Sequence, residues 1–174
     1  MSSAEKKIEI RPMVIEDLDA IFSIDRRIRA AGEAITYANL TTERIFTIDR
    51  KAARARQKSP TGYADLITGD VTGLFDFGFV AEVVEHVRGF VLGEVRHVGE
   101  AGTEVGMILI IGVHPDYQRK GIATGLANAL CEKYRSKGIK TVRLAIDERD
   151  KGLLDFARHM GFGVGHLVDY SKAL

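Results

Sequence analysis

No stretch of the chain approaches the roughly 18 consecutive apolar residues of a membrane-spanning helix, so a helical membrane span is not predicted. The start, MSSAEKKIEI, has no apolar h-region, and neither a signal peptide nor an anchor is expected there. Cysteine is nearly missing: Cys131 stands alone among 174 residues, so no internal disulfide can form and a reducing, cytoplasmic address is predicted. Cys131 shares the apolar face of a predicted helix with Ala127 and Tyr134, which reads as a small core residue rather than a reactive thiol. An excess of one charge is absent too. At a net charge of +1 there is no global field to gather nucleic acid or an anionic membrane, and any anion site has to be local. Internal repeats and low-complexity tracts are likewise missing.

What is present is the composition of an ordinary globular protein, 45% hydrophobic and 28% charged. A chain of 174 residues fits one domain, predicted over residues 1–174 with residues 1–6 disordered. Ile8 to Arg11 alternates as a short strand ended by Pro12, and Leu18, Ile21, Phe22 and Ile28 share one face of a helix over Ile15 to Ala31, with Gly32 as its cap. Thr41 or Thr42 can cap a second helix toward Gln57. Phe77 to Val84 and Val87 to Arg96 read as a hairpin turning at Glu85 and His86. Met107 to Val113 is almost unbroken in its apolar character, as a strand buried on both faces should be. A helix follows over Ile122 to Lys137, then a strand over Thr141 to Ile146, a helix capped by Asp150 and ending before Gly161, and a last strand over Phe162 to Asp169. The order is mixed α/β, with a parallel strand, helix, strand crossover inside an otherwise antiparallel sheet.

Chemistry concentrates in Val113, His114, Pro115, Asp116, Tyr117, Gln118, Arg119, Lys120, Gly121, Ile122 and Ala123, which join the buried strand to its helix. First-turn amides of a helix have no partners within it, and the aligned peptides add roughly half a positive charge there. Gly121 removes a Cβ from such a junction, while Arg119 and Lys120 add mobile charge. A pyrophosphate suits this loop, although a glycine can also stand there simply for its dihedral angles. Neither a Walker loop nor a three-glycine Rossmann fingerprint has the required spacing here.

The run from Gln118 to Ala123 resembles the signature of the GNAT acetyltransferases: Gln or Arg, two residues, Gly, one residue, Gly or Ala. Val113 to Pro115 precedes it as in family members. Ile8 to Ile24 resembles the family's first strand and helix, and Thr141 to Phe162 its fifth strand and fourth helix, so about two thirds of the chain is covered. The resemblance implies a GNAT fold, a mixed, mostly antiparallel sheet of six to seven strands whose central strands splay apart. It also implies acetyl-CoA as co-substrate, no metal, and transfer of acetyl to a primary amine of a small molecule or a protein. Carried over by position, backbone groups of Ile111 and Val113 would pair with pantetheine, and Gln118, Arg119, Lys120, Gly121, Ile122, Ala123 and Thr124 would hold the pyrophosphate. Asp150 stands where the family often has an Asn that contacts the cofactor, and helix capping explains it equally well.

The sequence departs from that pattern at catalysis. Family members commonly carry a Tyr as general acid where this chain has Ala157. Tyr37 and Tyr170 are candidate substitutes, and Glu94 and Glu104, with His97 nearby, are candidate bases. Solvated strand-end charges are the plainer reading of both glutamates. A catalytically weak acyl-CoA-binding regulatory module is therefore the alternative function. The basic run Arg50, Lys51, Arg54, Arg56 and Lys58 reads as a solvated helix face, and it lacks the stacking aromatics that nucleic acid binding requires. Only 12 residues follow Phe162, which predicts either a shortened closing hairpin or a homodimer that covers the exposed sheet edge.

Overall fold

The computed structural model describes residues 7–31, 47–48, 67–68, 75–98, 102–146 and 148–165. Among them, five strands form one sheet in the order β1-β4-β5-β6-β7: β1 (Ile8–Pro12), β4 (Gly78–Val83), β5 (His86–Val98), β6 (Thr103–Val113) and β7 (Val142–Leu144). Two-residue strands β2 (Thr47–Ile48) and β3 (Ile67–Thr68) pair separately. Helix α1 (Leu18–Ala30) follows a 3-10 turn at Ile15–Asp17; α2 spans Ile122–Ser136 and α3 spans Lys151–His159.

The neighbouring strands are antiparallel except β6 and β7, which are joined through α2 and pair in parallel, as the strand, helix, strand spacing predicts. The helices cover the two faces of the sheet. Leu18, Ile21, Phe22 and Ile28 of α1 pack with Val80, Phe90, Leu92 and Ile110 on one face. Ile122, Leu126, Leu130 and Tyr134 of α2 pack with Ala81, Val83, Val91 and Ile108 on the other. This explains the unbroken apolar run of β6, since both of its faces are buried.

The structure corrects the reading in four places. The hairpin turns at Val84 and Glu85, both with positive φ (52° and 60°), while His86 already pairs with Val83. Two successive left-handed residues give the twist that a two-residue hairpin turn requires, and the polar side chain of His86 had disguised a strand position. Strand β7 is three residues long rather than the six from Thr141 to Ile146. Among the described residues the sheet has five of the six to seven strands expected: Phe162 to Gly165 form no strand, and the rest of the predicted last strand lies outside the described residues. The predicted helix toward Gln57 is contradicted at Thr47–Ile48, which form strand β2 because they pair with Ile67–Thr68 of a distant segment. Its other residues, with the segment 1–6, Gly32, Tyr37, Tyr170 and the basic run from Arg50 to Lys58, lie outside the described residues.

Two irregularities interrupt the strand ladders. Leu92 pairs with Ile110 and Gly93 with Ile108, so Leu109 is an extra residue in β6, and Leu109 and Ile110 both pack toward α1. Ala81 pairs with Gly89 and Glu82 with Val87, which makes Arg88 the extra residue in β5. Bulges of this kind redirect side chains, and they concentrate beside functional sites.

Candidate functional site

The β6–β7 register contains three pairs, from Gly106–Val142 to Ile108–Leu144, and it stops where the Leu109 bulge begins. Beyond that point the two strands part, and Leu109 to Val113 have no ladder partner on the β7 side among the described residues. The opening is a groove of about 740 Å³, bounded by Ile111 and Val113 of β6, the loop and first turn of α2, and one side of α3.

The groove collects Ile111, Val113, Gln118, Arg119, Gly121, Ile122, Ala123, Thr124 and Asp150 from distant parts of the sequence. Lys120 is the exception among the ten predicted binding residues. Its ammonium donates to the Asp116 carbonyl at 2.9 Å and lies 4.8 Å from the Tyr117 ring centroid. Asp150 caps its helix, its Oδ1 accepting from the Leu153 amide at 2.9 Å, and it also lines the groove.

The loop is held by its own chain. His114 donates its amide to the Arg88 carbonyl at 2.8 Å, and the Tyr117 amide returns to the His114 carbonyl at 2.8 Å. The buried His114 ring accepts the Asp116 amide at Nδ1 (3.2 Å), which requires the neutral tautomer protonated on Nε2. Burial lowers the His114 pKa; Asp116 opposes the shift, and Arg27 and Arg88 add to it. Gln118 Nε2 reaches the Val113 carbonyl at 3.4 Å.

Arg119 and Gly121 both have positive φ, 59° and 79°. The dihedral explanation for Gly121 is therefore correct, and a Cβ there would meet nothing within 4 Å, so the space above it is open. Gly125 donates to the Gly121 carbonyl at 2.9 Å as the helix begins, while Ile122, Ala123 and Thr124 present the first-turn amides at the groove wall. This set of residues suits a diphosphate with an extended amide-bearing chain beside it.

Of the predicted catalytic residues, Glu94 and Glu104 lie elsewhere, and Tyr37 and Tyr170 fall outside the described residues. Glu94 is half-buried on β5 and paired with Arg96, and Glu104 pairs with His97 at 3.5 Å. Glu104 and His97 line a separate cavity of about 410 Å³ with Asp76, Lys133 and Lys137. Ala157 is buried, whereas Leu153, Phe156 and His159, at helical spacing on α3, line the groove with Asp155. Sequence reasoning passed over this stripe and Tyr117. The 3-3 spacing of Leu153, Phe156 and His159 was the available signal.

The model of the acetyltransferase (GNAT) family matches residues 42–162. The chain belongs to this family. An uncharacterized N-acetyltransferase of Methanocaldococcus jannaschii is 33% identical over 85 residues, 48% of this chain and 38% of that protein. The chain thus spans well under half of that relative's length. Among solved structures, aminoglycoside N-acetyltransferase AAC(6')-Iy in complex with CoA superposes with a TM-score of 0.67 at 16% identity, covering 99% of both chains. A ribosomal-protein-alanine N-acetyltransferase from Brucella melitensis superposes with a TM-score of 0.61 at 15% identity, covering 97% of this GNAT chain and 99% of that one. At such identities the likeness is one of fold. No helix among the described residues is long and apolar enough to cross a membrane.

Proposed function

We propose that this GNAT chain is an N-acetyltransferase that transfers acetyl from acetyl-CoA directly to a primary amine of a small molecule or a protein. The observation that carries the reading is the convergence of Ile111, Val113 and the Gln118 to Thr124 loop on one groove where β6 leaves β7. In this reading the strand's unpaired backbone takes the pantetheine amides, and the first-turn amides of α2 take the pyrophosphate. The amine nitrogen attacks the thioester carbonyl carbon, the C–S bond breaks, the amine gives up a proton and the departing thiolate takes one.

Positioning is the larger lever in that reaction. Correct alignment is worth roughly 7 to 11 kcal/mol, against about 3 to 5.5 kcal/mol for one general acid. A thiol of pKa near 8.5 also leaves tolerably well without immediate protonation. Calorimetry with acetyl-CoA tests the binding: no heat at millimolar ligand, or undiminished affinity after Gly121→Glu, sinks it.

A second reading, an acyl-CoA-binding regulatory module, is favoured by Ala157 in place of the family's tyrosine. Thiol release with a broad amine panel separates the two, because multiple turnovers reject the module. We further read the chain as one cytoplasmic domain that neither nucleic acid nor a membrane engages, with either a shortened closing hairpin or a second copy covering the exposed sheet edge. A monomer in light scattering across a wide concentration range removes the dimer.

A further inference from the structure

Arg88 holds an unsatisfied hydrogen-bond donor beside the groove. Among the described residues its buried Nε has no hydrogen-bond partner, a condition that costs free energy and calls for an explanation. Arg88 is also the extra residue of the β5 bulge, so its side chain is redirected out of the regular alternation. The guanidinium carbon lies 4.8 Å from the centroid of the Tyr117 ring. The Lys120 ammonium lies at the same 4.8 Å from the same ring, which in addition meets His114 edge-on at 5.5 Å. One aromatic ring thus carries two cations. Tyr117 lines the groove, and Arg88 and Lys120 do not.

Two like charges drawn to one ring repel each other, and a nearby anion offsets that repulsion. We propose that Tyr117 is a positioning residue for phosphate: its ring holds Arg88 and Lys120 at the groove rim as counter-charge for the diphosphate of CoA, without direct contact from either cation. The Debye length of about 8 Å at physiological salt allows charges just behind a groove wall to act on an anion inside it. The π face fixes both long side chains, whose free motion would otherwise dilute the field. Among the described residues, Arg27, which acts on His114, and Arg119, which lines the groove, are further cations near this loop; Asp116 beside the loop and Asp150 and Asp155 on the groove wall are the opposing acids.

The inference rests on the CoA reading and predicts a dependence on phosphate rather than on the acyl chain. Affinities of the full chain for CoA are measured by calorimetry, and those for S-acetylpantetheine, which lacks phosphate, by NMR titration. Tyr117→Leu should weaken CoA about tenfold, the effect of a desolvated cation–π pair, and leave S-acetylpantetheine unchanged. Tyr117→Phe, which keeps the ring, should retain both affinities. Arg88→Gln, a change that spares the ring, should flatten the dependence of CoA affinity on salt. Equal losses for the two ligands, or an undiminished CoA affinity in Tyr117→Leu together with an unchanged salt slope in Arg88→Gln, overturns the positioning role alone. A wild-type chain that binds no CoA overturns the function proposed above and this inference with it.

Discussion

Arg11 ties three elements together. Its guanidinium donates to both oxygens of Asp17 at 2.8 and 2.7 Å and to Glu82 at 2.6 Å, linking β1, the turn before α1, and β4. Asp17 is buried and also accepts the Val14 amide at 2.9 Å. Removing the cation leaves a buried carboxylate short of its partner, which is expensive, but Arg11 is 30% exposed and water recovers part of the loss. Arg11→Leu should therefore cost about 2 kcal/mol in a urea titration, and Glu82→Gln clearly less. His114 makes a pH prediction. Its pKa is lowered from 6.5 in the folded chain, mainly by burial, so protons bind the unfolded chain more readily. The stabilisation is complete above the unfolded value of 6.5 and is lost as pH falls below it toward the folded pKa. Unfolding midpoints taken from pH 7.5 to 5 should fall more steeply in the wild type than in His114→Gln.

At the scale of elements, one side chain of α2 hydrogen-bonds to two strands of the sheet. The Tyr134 hydroxyl lies 2.7 Å from the Met107 carbonyl and 3.0 Å from the Glu94 carbonyl, on β6 and β5, with the ring stacked on Phe77 at 5.0 Å. Burial pushes the phenol far above its ordinary pKa, so it remains a proton donor at any physiological pH. Two glycines make the room: a Cβ on Gly93 would fall 2.1 Å from the hydroxyl oxygen, and one on Gly106 would fall 2.7 Å from the ring. Gly93→Ala should cost about 1 to 3 kcal/mol by overpacking. Adding Tyr134→Phe should recover part of that loss in a double-mutant cycle, whereas purely additive losses would separate the two residues. Cys131, one turn before Tyr134 toward the N-terminus of α2, is half-buried, and burial raises its pKa, which suits packing rather than reactivity.

For the whole molecule, the groove has contributors from β6, the loop, α2 and α3, so ligand binding should stabilise the fold as a unit. Acetyl-CoA at one hundred times its dissociation constant should add about 2.7 kcal/mol, a melting shift of roughly 5 to 10 °C for a chain of this size. Gly121→Ala introduces only the strain of a positive φ and should lower the melting point while retaining a shift with ligand. Gly121→Glu places a carboxylate in the open space and should abolish the shift. Equal shifts in wild type and Gly121→Glu would remove the loop from binding.

The elements with strong periodicity are legible in the sequence: the α1 stripe, the two-faced burial of β6, α2 with its glycine end, and the helix capped by Asp150. Each is decided by contacts within a few residues or by one buried face. The loop from Gln118 to Ala123 was legible for the same reason, because helix ends leave local amides unpaired wherever they occur. The sequence alone therefore determined the family resemblance and the loop proposed to take the anion. The placement of Lys120 on Tyr117, the alignment of Leu153, Phe156 and His159 along the groove, and the separation of Glu94 and Glu104 from it were decided only by tertiary structure, which also located at Leu109 the parting of β6 from β7 that the resemblance had implied. Those features depend on register across strands, on bulges at Leu109 and Arg88, and on which helix packs over which edge. Such quantities are set by pairing between distant segments, and no local spacing encodes them.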